Sequence, residues 1–139
     1  MVFNTKANCQ IMKNKLRRIT IEDLVYLYSV TDKYHLGTET NTLTVKVFLE
    51  GRKQTPLIIE FLTLDHYHMG QILKSGVELT NTIKNTNDKI NINEPKYIKE
   101  LILQGRKNGW VGTNKMENQN GLKYLTELGY ETDILLPKN

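Results

Sequence analysis

The cleanest periodicity in the chain falls at residues 42–49, where Leu43, Val45, Val47 and Leu49 alternate with Thr42, Thr44, Lys46 and Phe48. A period of two places the first set on one face of a strand and the second set on the other. The polar run Glu50-Gly-Arg-Lys-Gln-Thr55 then reads as a hairpin loop. Pro56 opens a further strand over residues 57–64, at a position where a missing N–H is tolerated. These two strands are expected to pair antiparallel.

Upstream, residues 16–21 and 24–30 are apolar, β-branched and aromatic runs around Glu22-Asp23, which fits two strands joined by a two-residue turn. The same residues admit a second reading, with a capping box at Thr20-Ile-Glu-Asp23 and Ile21, Leu24, Val25 and Tyr28 on one helical face. The near-continuous valine, leucine and tyrosine favour the strand.

After residue 70 the pattern becomes irregular. Gly70, Gly76 and a polar run over residues 80–88 separate short apolar pieces, leaving room for brief strands at 77–79 and 90–92. A connection as long as 70–94 without firm secondary structure is uncommon in a compact domain and tends to be functional or mobile. Asn93-Glu-Pro95 signals a helix start, with asparagine as the cap and proline in the first turn. Ile98, Leu101, Ile102 and Gly105 share its apolar face, and Arg106, Lys107, Asn108 and Gly109 close it. A second helix over 117–128 would bury Leu122, Leu125 and Leu128 and stop at Gly129, with an edge strand at 133–136 before Pro137.

The expected fold is therefore α+β, an antiparallel β-meander of four or more strands followed by two short C-terminal helices. Residues 1–14 lack an apolar period and read as a flexible basic tail, with Met12 as an alternative start, and residues 15–139 read as a single domain. With 39% apolar and 24% charged residues, a chain of this length can bury an adequate core without crosslinks or a structural metal.

Cys9 is the only cysteine, and no run approaches the length of a signal h-region or a membrane span, so a cytoplasmic protein with no membrane role is expected. The charge of +4 changes less than it first suggests. Lys6, Lys13, Lys15, Arg17 and Arg18 supply five of the 19 basic residues within the first eighteen positions, and the remainder nearly balances the 15 acidic ones. Fourteen asparagines against two serines resemble AT-rich bacterial or phage coding.

Candidate chemistry is sparse. In Asp65-His66-Tyr67-His68 the two histidines at i, i+2 point the same way from an extended strand, but no second ligand pair stands at recognised spacing, so no metal site and no cofactor are assigned. Cys9, Ser29 and Ser75 lie outside any nucleophile motif, and glycine-rich phosphate loops do not occur. Lys96, Lys99, Arg106 and Lys107 form a basic stripe on the first helix, interrupted by Leu103. Trp110 follows the capping glycine, where an apolar residue folds back as a core plug or serves as a binding anchor. Tyrosines outnumber phenylalanines seven to three, a bias suited to half-buried sites and interfaces.

These features point to a non-enzymatic binding protein of the inhibitor, immunity or accessory type. It would present a sheet face and residues 70–94 to a protein partner, with Arg52, Lys53, Tyr67, Lys96, Arg106 and Trp110 as its binding residues. The alternative is a nucleotide or nucleic-acid binder that uses the basic tail, the helix cations and stacking tyrosines. A metal-dependent hydrolase centred on Asp65, His66 and His68 comes third, and homo-oligomerisation is left open.

Overall fold

The computed structural model describes residues 16–66 and 70–136. The basic tail read at residues 1–14, with Cys9 and Met12, lies outside them, as do Tyr67, His68 and Pro137.

Four strands meander antiparallel across one sheet: β1 (Arg17–Ile21), β2 (Leu24–His35), β3 (Thr40–Leu49) and β4 (Leu57–His66). Residues 21–30 are strand, not helix, because Glu22 (φ 51°) and Asp23 (φ 71°) both take the left-handed conformation of a tight two-residue turn whose twist suits a hairpin. Register aligns Tyr28 with Val47 and Val47 with Leu57, and sets Val45 between Val30 and Ile59. Opposed residues in such ladders share a face. Tyr26, Tyr28, Leu43, Val45, Val47, Leu57, Ile59 and Phe61 thus form one dry surface, each at most 3% exposed. The other face carries Val25, Leu27, Ile58, Leu62 and Leu64, half-buried to exposed, and Phe48, which is buried.

Two short strands among the remaining elements pair with β4 within the same sheet, and the others pack on the dry surface. In chain order the remaining elements are β5 (Gly70–Gln71), α1 (Ile72–Ser75), β6 (Val77–Asn81), β7 (Thr86–Ile90), α2 (Pro95–Lys107), β8 (Gln119–Asn120), α3 (Gly121–Glu127) and a 3-10 turn at Asp133–Leu135. One apolar cluster runs from Ile21 and Tyr26 through Leu79, Ile98 and Ile102 to Tyr124 and Leu135. The fold is mixed α+β with a mostly antiparallel sheet and short helices near the C-terminus.

Four local expectations are corrected. Residues 70–94 are not an irregular loop: they hold α1 and the β6–β7 hairpin, with Leu79, Ile90 and Ile92 buried. Their polar side chains build structure here. Gln71 Oε1 accepts from Leu73 N at 3.2 Å and from Thr63 Oγ1 at 3.1 Å, while Asn81 Oδ1 accepts from Ile83 N and Lys84 N and so forms the hairpin turn. The last helix begins at Gly121, not near 117, because Asn120 Oδ1 caps it through Leu122 N at 3.0 Å and Lys123 N at 3.4 Å. Gln119 and Asn120 instead pair parallel with Ile59 and Glu60. The edge strand expected at 133–136 is a single 3-10 turn that buries Leu135. At the start of α2, Asn93 does not cap; its Oδ1 accepts from Arg17 Nη2 at 3.1 Å, and Glu94 takes the cap position without a side-chain bond.

Gly121 permits the closest approach of α3 to the sheet, since a Cβ there would stand 2.4 Å from the Phe61 ring. A buried aromatic ring cannot swing aside like a chain end, so Gly121→Ala is predicted to destabilise by about 1–3 kcal/mol in urea denaturation.

Buried tyrosines add a pH dependence. Burial raises the hydroxyl pKa of Tyr97, Tyr124 and Tyr130 above the ordinary value, most strongly for Tyr130, where the nearby Glu100 and Asp88 carboxylates add to the effect. The folded state therefore holds these protons more tightly than the unfolded chain. Their contribution is full below the unfolded value of about 10 and is lost as pH rises from there toward the folded values. Denaturant melts at stepped pH should show stability falling above about pH 10, with a shallower fall in Tyr130→Phe.

Candidate functional site

The tight β1–β2 turn brings Glu22 and Leu24 alongside the C-terminal half of α2, and between them opens a cleft of about 740 Å³. Leu24 and Tyr26 line it from β2, Leu103, Gln104, Arg106 and Lys107 from α2, Trp110 and Val111 from the segment beyond, and Leu128 from the end of α3. A volume of this size, with mostly apolar walls and a few polar groups, is typical of ligand-binding concavities.

Trp110 forms the floor. It is fully buried, its ring centroid is 5.8 Å from that of Tyr26, and its Nε1 donates to Thr55 O at 3.0 Å. Trp110 N donates to Gly105 O at 2.9 Å across Gly109 (φ 113°), the left-handed glycine cap that ends the helix and turns the chain back on its last turn. Thr55 Oγ1 donates to Gly112 O at 2.7 Å, so the exit from α2 is tied to the β3–β4 turn.

The rim is apolar where water would ordinarily be met by polar groups. Leu24, Leu103 and Val111 are exposed, Val111 at 66%, and all three converge on this cleft from separate parts of the chain. Other exposed apolar side chains, such as Leu36 and Ile83, lie apart from it. Arg106 crosses one end, its Nη1 3.1 Å from Glu22 Oε1, while Glu100 is held by Lys84 at 3.6 Å.

The residues singled out from sequence do not assemble into one site. Arg106 and Trp110 meet in the cleft. Arg52 and Lys53 are exposed in the β3–β4 turn and do not line it. Lys96 packs its Nζ over the Tyr97 ring at 4.9 Å, ten residues before Arg106 and so about 15 Å away along the helix. Asp65 Oδ1 accepts from Asn41 Nδ2 at 3.0 Å, and His66 ends β4 opposite Gly70. Tyr67 and His68 lie outside the described residues. Among the described residues no three histidine, cysteine or acidic side chains gather as metal ligands, and no helix is long and apolar enough to cross a membrane.

Sequence reasoning missed Glu22, Leu24, Val111 and Leu128. One signal was present: Leu103 interrupts the basic stripe of α2, an apolar side chain on what is otherwise the polar side of an amphipathic helix. In comparisons with protein-family models, curated proteins and solved structures, the chain matches none.

The burial of Trp110 separates it from the surface candidates. Trp110→Ala should cost about 3–5 kcal/mol in equilibrium unfolding, as expected for an emptied aromatic core position. Arg52→Ala and Lys53→Ala should stay within about 0.5 kcal/mol of the parent.

Proposed function

We propose that this is a non-enzymatic binding protein that acts on a protein partner as a small inhibitor, immunity or accessory factor, and that the partner's anchor seats in the cleft between the β1–β2 turn and α2. The observation that carries this reading is the convergence of exposed Leu24, Leu103 and Val111 around a floor made by buried Trp110 and Tyr26. Energetic hot spots of interfaces sit in such desolvated pockets ringed by apolar contacts, and exposed apolar groups concentrated in a concavity are a standard mark of interaction surfaces.

The nucleic-acid alternative has less support. Of the cations it calls on, Arg106 pairs with Glu22 at 3.1 Å and Lys96 lies over the Tyr97 ring, and Arg18 beside the tail pairs with Glu50 at 2.9 Å, so part of that charge is already met within the fold. The single cysteine and asparagine-rich composition support a bacterial or phage protein in a reducing, cytoplasmic setting.

The test is affinity capture from the native host with the tagged full chain and a Leu103→Glu variant. Leu103 is exposed, so the variant should keep the parental thermal melt. The parent should retain one protein in stoichiometric amount, and the variant should lose it. Equal capture by a folded Leu103→Glu would remove the cleft from the reading, and no captured protein in either would remove the reading itself.

A further inference from the structure

The cleft contains one polar group that its apolar walls do not satisfy. Arg106 Nη1 is buried and makes no hydrogen bond. Its nearest acidic neighbour, Glu22 Oε1, is within ion-pairing distance at 3.1 Å but is not placed to accept a hydrogen bond. The ion pair offsets part of the charge, but the buried N–H has given up water without a hydrogen bond to replace it, which is unfavourable. The Glu22 side chain, by contrast, is 70% exposed and stands on a tight turn, so it leaves the guanidinium at little cost in packing. Lys107 lines the same end and has no ion-pair partner among the described residues, whereas Glu100, the other acid of the cleft, is engaged by Lys84.

An arginine fork is matched by a carboxylate that approaches in its plane and accepts two parallel bonds. Around it the walls offer Leu24, Leu103, Val111 and Leu128 to an apolar group. We propose that Glu22 is a placeholder, and that the anchor a protein partner inserts is an aliphatic or aromatic side chain with a carboxylate beside it, which displaces Glu22 and hydrogen-bonds Arg106. This rests on the reading of the cleft as the docking site and adds the chemistry of its occupant. A protein segment fits better than a free acid, because Leu24, Leu103 and Val111 stay exposed around the mouth. A molecule held inside meets only the sides that face inward, whereas a segment lying across the mouth also covers the apolar surface that extends beyond it, Val111 at 66% exposed above all.

The experiment uses the full chain and follows the fluorescence of Trp110, its only tryptophan, at the cleft floor. Decanoate, decanol and decylamine are titrated first. Decanoate should bind about tenfold more tightly than decanol, the gain expected of one charge-assisted hydrogen bond, with decylamine weakest. Glu22→Gln, which removes the competing carboxylate, should raise the affinity for decanoate several-fold. Arg106→Gln should bring decanoate down to the level of decanol. Decanol binding as well as decanoate, or no gain in Glu22→Gln, would overturn the placeholder.

A second pair of probes fixes the source of the carboxylate: a short amidated helical peptide with leucines at i and i+4 and glutamate at i+3, against its glutamine counterpart. The glutamate peptide should bind about tenfold more tightly. A preference for decanoate with no difference between the peptides would assign the cleft to free acids and overturn the protein anchor. If Leu103→Glu still abolishes partner capture while no probe shows a carboxylate preference, the docking site stands and only this anchor chemistry fails.

Discussion

The pairing that sets Val45 between Val30 and Ile59 is the constraint on which the rest of the molecule depends. Strand side chains alternate with a strict period of two, so a slip of one residue would turn Leu43, Val45 and Val47 to the opposite side and bring Thr44 and Lys46 under the helices. With the register fixed, one face of the sheet is dry, and α2, α3 and the β6–β7 hairpin have a common surface to pack on. The packing is close. Gly105 stands where a Cβ would meet Leu57 Cδ2 at 2.5 Å, and Gly121 does the same against Phe61.

The cleft follows from that packing. A two-residue turn leaves β1 and β2 no slack, so Glu22 and Leu24 project beside the end of α2. The glycine cap after α2 turns the chain back and drops Trp110 into the gap against Tyr26, with its indole N–H satisfied by Thr55. Trp110 closes the bottom of the gap but not its mouth, leaving Leu24, Leu103 and Val111 around an opening that no described element covers. The same residue that completes the core thereby defines the floor of the site, which is why it cannot be removed to test binding without also loosening the fold.

Much of this architecture is legible in the sequence, and the exceptions share a cause. Alternation at 42–49, the Glu22-Asp23 turn and the Pro95 to Gly109 helix signals all rest on local rules, and the structure follows them. Residues 70–94 read as irregular, with only brief strands, because of Gly70, Gly76 and the polar run at 80–88, yet Asn81 of that run and the neighbouring Gln71 are buried, and their side-chain oxygens accept from backbone N–H groups. The helix start moved from 117 to 121 because Asn120 caps there and β4 claims Gln119 and Asn120 as a strand, a tertiary contact with no local signature. Of the candidate binding residues, Arg106 and Trp110 meet and Lys96, Arg52 and Lys53 do not. A cleft formed by a turn, a helix end and two separated loops depends on how elements dock, which periodicity does not encode. Leu103, apolar within a basic stripe, was its one trace in the sequence.

The most direct test of the account is amide hydrogen exchange on the full chain, alone and with its captured partner. Binding at the cleft predicts new protection at residues 22–26 and 103–111, while the backbone of β4 stays unchanged. Protection confined instead to the sheet around Phe48, Ile58 and Leu62, with the cleft exchanging as in the free protein, would contradict it.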